Sequence, residues 1–243
     1  MTAPISFRSI YAIGKRELRS FFISPVAYII ITGFIFISSY FFTAYVSSTN
    51  QADLSGTVNN IAIVLFLILP FLTMKLLSEE KKSGTFELLQ TSPVTPLDIV
   101  LGKYFSALLL YGLMLFFTAG FPIYLEIKAD PYWPVIAVQY LGLFLTGSAI
   151  IGIGLAASAF TENQIVSGII GFSISFGLLL ISWLGTQTTG LVKAVIDELT
   201  IINHLDPFVN GVIAVKDIIY FLLWIVFSVF LSSKAVESQS WRS

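Results

Sequence analysis

Between Pro25 and Met74 the chain carries one charged residue, Asp53, and none falls in 104–125, 131–161 or 163–192. Uncharged runs of that length read as membrane spans: crossing a hydrocarbon layer about 30 Å thick takes about 20 apolar residues, and ionised side chains are costly there. Six stretches qualify, at 25–47, 58–77, 98–125, 134–160, 164–184 and 209–232. They predict an all-α fold, a polytopic membrane protein with six transmembrane helices in a single domain over 1–243. Composition agrees, at 56% hydrophobic residues against 11% charged.

Several starts carry their own punctuation. Ser24-Pro25, Thr95-Pro96 followed by Asp98, and Asp206-Pro207 each set a capping oxygen before a proline at the first helical position. Thr161 and Gln164 have capping-box spacing, which predicts a tight turn between spans four and five. Arg8, Lys15, Arg16, Arg19, Lys75, Lys81, Lys82, Lys103, Lys234 and Arg242 fall on one side, against Lys128, Lys193 and Lys216 on the other. The richer side is cytoplasmic by the positive-inside rule, so both termini are expected there. The apolar run after Arg19 is too long for a signal-peptide core and lacks a clear small-residue cleavage site, so it reads as the first span.

Residues 5–22 read as an amphipathic interfacial helix, with Ile5, Ile10, Ile13, Leu18 and Phe21 apolar and Arg8, Lys15, Arg16 and Arg19 basic. In 185–208, Leu191, Val195, Leu199 and Ile202 recur at helical spacing while Lys193, Asp197 and Glu198 take the other face. That pattern predicts a short helix lying at or dipping into the outer leaflet. Spans four and five are rich in small residues, and the pairs Ser148 with Gly152 and Gly171 with Ser175 have the four-residue spacing that lets backbones approach in lipid.

The exclusions are as informative. Without cysteine there is no disulfide and no thiolate metal site, and one histidine, His204, cannot build a histidine cluster. His204 with Asp197, Glu198 and Asp206 is too loose a set to name as a metal site, so none is expected. Lys216 and Asp217 fall in the first turns of the last span, where adjacent opposite charges are expected to neutralise each other or snorkel. The spans hold no mid-membrane ionisable group, which disfavours a proton- or ion-driven carrier. The net charge of -1 gives no basic field for nucleic acid. The phosphate-cradling pattern G-x-x-x-x-G-K-[ST] is absent, so no nucleotide cofactor is expected on this chain and any energy must come from a partner.

The delivery point is the polar stretch SEEKKSGTFELLQTSPVTPLD at 78–98. Glu79, Glu80, Lys81 and Lys82 end span two in a solvated charge cluster, Gly84 provides a bend, and Thr85 can cap a short helix with Glu87 in its first turn. Pro93 ends it. Phe86, Leu88 and Leu89 are apolar, and a helix so short needs a surface to pack against, which predicts a docking element in 78–97.

At these residues the chain resembles the permeases of type 2 ABC exporters, and within them the subunits associated with gliding motility and with nitrous-oxide reductase maturation. The matching stretches are Lys15-Arg16-Glu17-Leu18-Arg19-Ser20 with Ser24-Pro25; Glu79 to Leu89 with Pro93-Val94; and Phe208, Gly211-Val212-Ile213 and Lys216-Asp217. The resemblance implies an elbow helix carrying Lys15, Arg16, Glu17 and Arg19, and a coupling helix whose Glu79, Glu80, Gly84, Thr85, Phe86, Glu87, Leu88 and Leu89 meet an ATPase. It further implies a re-entrant outer segment before the last span. ATP and Mg would be bound by a separate cytoplasmic ATPase subunit in two copies, and the assembly would be a dimer of permeases, identical or homologous, in the bacterial inner membrane. The chain itself would be non-catalytic. The alternative is a membrane scaffold for a gliding-motility or envelope assembly that moves no cargo.

Overall fold

Six helices are long and apolar enough to cross a bilayer, within Pro25–Thr49, Ser55–Lys82, Pro96–Lys128, Trp133–Ala159, Gln164–Gly185 and Val215–Ser238. They belong to a computed structural model that describes residues 6–49, 52–84, 94–185, 187 and 189–239. Among the described residues every regular element is a helix: α1 (Phe7–Ile23), α2 (Pro25–Thr49), α3 (Ser55–Thr73), α4 (Ser78–Lys82), α5 (Pro96–Thr118), α6 (Gly120–Lys128), α7 (Trp133–Ala159), α8 (Gln164–Gly185), α9 (Leu191–Leu199), α10 (Ile201–Val209) and α11 (Val215–Gln239). The all-α, six-span expectation holds. The chain is a multi-pass membrane protein.

The most enclosed span is α7, which packs against α3, α5, α8, α10 and α11. Its small residues explain why so many helices reach it. A methyl group added at Gly142 would stand 2.5 Å from Cβ of Phe208, one at Gly152 3.0 Å from Cβ of Ser228, and one at Gly154 would overlap Thr73. A methyl group added at Gly171 of α8 would stand 3.4 Å from Cα of Gly154, and Ser148 and Ser175 are buried. With lipid as apolar as the side chains, such close backbone approach supplies much of the helix association.

The start of α5 follows the sequence reading in detail. Thr95 Oγ1 accepts from the Asp98 amide at 3.1 Å while Asp98 Oδ2 accepts from the Thr95 amide at 3.0 Å, and Asp98 Oδ1 takes the Ser6 amide at 3.0 Å. One carboxylate therefore caps α5 and holds the chain entering α1.

Three boundaries differ from expectation. The third span, expected at 98–125, runs within Pro96–Lys128 but its helix is interrupted at Ala119, because Pro122 has no N–H for the Thr118 carbonyl; the Tyr140 hydroxyl donates to that carbonyl instead, at 2.8 Å. The turn before α8 is capped by Asn163, whose Oδ1 accepts from the Ile165 amide at 2.9 Å, and not by a Thr161–Gln164 box. Asp206-Pro207 does not begin the last span, since Pro207 lies inside α10. Burial of Ile201, Leu205, Phe208 and Val209 carries α10 past that proline, and Gly211 at φ 75° then turns the chain before α11. Segment 185–208 thus contains two helices, α9 and α10, of which α10 packs into the bundle against α7.

Candidate functional site

On α1, Ile13, Glu17 and Phe21 lie four residues apart and are buried together, which places a carboxylate in the middle of a packed apolar stripe. The stripe lies on α5, where Gly14 and Gly102 let the two helices touch: a methyl group at Gly14 would stand 3.1 Å from the Gly102 carbonyl oxygen. One residue beyond Gly102, Lys103 is only 1% exposed. Its ammonium lies 3.0 Å from Glu17 Oε2 and 3.0 Å from Glu80 Oε2, and Arg16 pairs with the other oxygen of Glu80. Burying a lone ammonium would be prohibitive; two carboxylates and a second cation make it tenable.

The result joins three elements far apart in sequence. Glu17 and Arg16 come from α1, Glu80 from α4 and Lys103 from α5. The α4 helix also sends Lys81 Nζ to the Ala159 carbonyl at the end of α7, so the 79–82 cluster is not wholly solvated as expected: Glu80 and Lys81 turn inward, while Glu79 and Lys82 are exposed. Just after α4, Gly84 sits at φ 70°, a left-handed backbone that glycine adopts without strain. Thr85, Phe86, Glu87, Leu88 and Leu89 lie outside the described residues. Lys15 and Arg19 are exposed on α1, and Lys75 stacks over the Phe21 ring at 4.6 Å.

Sequence reasoning used Lys103 only as a topology marker. Its signal was present in combination: a lysine two turns inside a capped span needs a carboxylate, and Glu17 at four-residue spacing from Ile13 and Phe21 was the carboxylate out of place on an apolar face.

A second cluster closes the opposite end. His204 is buried, with Nδ1 2.6 Å from Asp217 Oδ1 and Nε2 3.2 Å from the Glu198 carbonyl oxygen, and its ring stacks on Tyr220 at 3.7 Å. Lys216 Nζ donates to Glu198 Oε1 at 2.5 Å, so Lys216 and Asp217 do not neutralise each other; successive residues of a helix point to different faces, and each finds its own partner. His204 gathers Asp217 and Glu198 rather than Asp197 and Asp206. Lys216 holds the Glu198 carboxyl below the usual carboxylate range, and burial raises that of Asp206. The cluster borders a polar cavity of about 480 Å³. Among the described residues no three His, Cys, Asp or Glu side chains assemble a metal site.

Neither cluster presents a nucleophile beside a base; both tie helices together. No curated protein matches the chain. Residues 35–233 match the sequence model of the ABC-2 family transporter proteins, a stretch that takes in Glu80, Lys103 and the whole of the His204 cluster. With well over half of the chain matched and six apolar helices in the fold, the protein belongs to the ABC-2 transporter family, as one of its membrane permeases.

Proposed function

We propose that this permease is the membrane subunit of an ATP-driven exporter in the bacterial inner membrane, with both termini in the cytoplasm and all of 1–243 forming one permease domain. Two copies of a cytoplasmic ATPase bind and hydrolyse ATP with Mg, and a second permease, identical or homologous, completes the membrane part. In this reading α1 is the elbow helix, 78–97 is the coupling loop with Glu79, Glu80, Gly84, Thr85, Phe86, Glu87, Leu88 and Leu89 at the ATPase interface, and 185–208 is the outer segment. The chain carries no catalysis of its own. The likeness of its motifs to gliding-motility and nitrous-oxide-reductase-maturation permeases makes the ATPases of those systems the first partners to test.

The observation that carries the reading is the Lys103 network. A push on the loop is delivered to α4, and α4 is bound by Glu80 to both α1 and α5. ATPase closure would therefore move the elbow and the third span as one unit, changing how the two permeases pack and opening a path for cargo. The test is co-purification and vesicle reconstitution. Glu87→Lys reverses a charge in the docking segment and should reduce ATPase recruitment and coupled hydrolysis with membrane insertion unchanged; normal recruitment and normal turnover would sink the proposal. Cargo accumulation in vesicles separates an exporter from a scaffold, which would show assembly defects without flux.

A further inference from the structure

A groove of about 940 Å³ opens sideways from the bundle between α5, α7 and α11. Its wall is apolar, built from residues such as Leu101, Leu108, Ile225 and Val229. One end is different: Thr95 and Pro96, where α5 begins, meet Lys234 and Glu237 near the end of α11. Lys234 Nζ and Glu237 Oε2 are 2.7 Å apart, and both side chains remain about half exposed.

The dimensions are those of one leaflet. From Leu222 to Lys234 the groove follows α11 for about 18 Å at a rise of about 1.5 Å per residue, slightly more than the ~15 Å that half a hydrocarbon core measures. A charged pair thus stands at headgroup height above an acyl-chain-length wall. The two ions already pair with each other, and a zwitterionic headgroup can join that pair by offering each a further group of opposite sign, which a helix face of apolar side chains does not.

We propose that this groove seats one phospholipid with a primary ammonium headgroup, a phosphatidylethanolamine. Its phosphate meets Lys234, its ammonium donates to Glu237, and one acyl chain lies along α5 and α11. A quaternary ammonium has no N–H to donate to Glu237, and a glycerol headgroup leaves that carboxylate facing net negative charge. The leaflet is the cytoplasmic one only if the orientation proposed above holds; the groove and its headgroup preference do not depend on it. A lipid seated here wedges α5, the helix that carries Lys103, against α11.

The test is native mass spectrometry of the full chain purified in detergent and offered equal amounts of phosphatidylethanolamine, phosphatidylcholine and phosphatidylglycerol. Wild type should retain one phosphatidylethanolamine with about tenfold preference, the effect of a single charge-assisted hydrogen bond. Lys234→Gln combined with Glu237→Gln should bring the three lipids to parity, and Val229→Trp, which fills the groove, should expel lipid of every kind. Both sets of positions are only partly buried, and an unchanged unfolding temperature shows that the variants fold. Equal binding of the three lipids by wild type, a preference that survives both changes, or a protein segment found in the groove in place of lipid would each overturn the proposal. Labelling of Lys234→Cys from one side of sealed vesicles reports orientation separately: labelling from outside would refute the cytoplasmic topology and leave the lipid preference standing.

Discussion

The Lys103 network and the His204 cluster stand at opposite ends of the helical body, and both set a buried cation-forming group against carboxylates. They differ in what they connect. Lys103 reaches Glu17 across 86 positions of sequence and Arg16 reaches Glu80 across 64, so the network closes long loops and locks α1, α4 and α5 together. His204 meets Asp217 across 13 positions and Glu198 across 6, so it staples neighbouring elements at one corner. The first arrangement ties distant elements into one unit; the second fixes a local cap.

The largest effect should come from removing the hub of the long-range network. Lys103→Met leaves the buried Glu17 and the partly buried Glu80 without their shared ammonium, and breaking a buried pair from one side costs about 3–5 kcal/mol. Thermal unfolding of the purified chain should show that loss. Adding Glu17→Gln should recover part of it, because the second change removes one of the stranded charges. Full additivity of the two changes would mean that the ions do not act as one network. At the other end, Asp217→Asn keeps the shape but removes the charge from the bond to His204, worth about 1.5–3 kcal/mol. Its effect should stay local to α9, α10 and α11 in hydrogen exchange, leaving α1 and α5 protected; a loss spread over the whole body would erase the contrast between the ends.

A smaller effect is expected at the α5 cap. Thr95→Ala removes the acceptor for the Asp98 amide and should cost about 1 kcal/mol. Asp98 still holds the Ser6 amide, so the attachment of α1 should survive. Faster exchange confined to the first turn of α5 is the expected outcome, and release of α1 would show that the cap and the Ser6 contact are a single unit.

What the sequence made legible follows the same division. Spans, the Thr95 cap and the amphipathic segment at 185–208 depend on residues within one or two turns of each other, and composition or spacing reveals them. The break at Ala119 was readable from Pro122, had the missing amide been followed back to Thr118. Partners across 64 or 86 positions are different, because local pattern holds no information about which helices become neighbours. Lys103 shows the limit: its need for a carboxylate could be inferred, but choosing Glu17 and Glu80 required the fold. Asp217 was misread for a related reason. Its sequence neighbour Lys216 looked like its partner, yet helix geometry sends consecutive side chains apart.

The smallest effect belongs to Glu198 and Lys216, the exposed pair that borders the buried His204 contact. Lys216 holds the Glu198 carboxyl below its ordinary value of 4.5. A depressed acid stabilises the folded arrangement above its unfolded value and loses that contribution as pH falls through the folded value. The contribution of the Glu198–Lys216 pair to the α9-to-α11 tie should therefore be complete above that ordinary value and be lost only in acid below 4.5. Salt should weaken it too at neutral pH, because exposed pairs are screened, while the buried bond from His204 to Asp217 should not respond. The chain has no cysteine, so Val195→Cys on α9 and Ile219→Cys on α11, both exposed, accept spin labels cleanly. A distance distribution that broadens with salt and in acid but stays narrow in Glu198→Gln would reverse the assignment; one already broadened by that change, and no longer salt-sensitive, is the result the geometry requires.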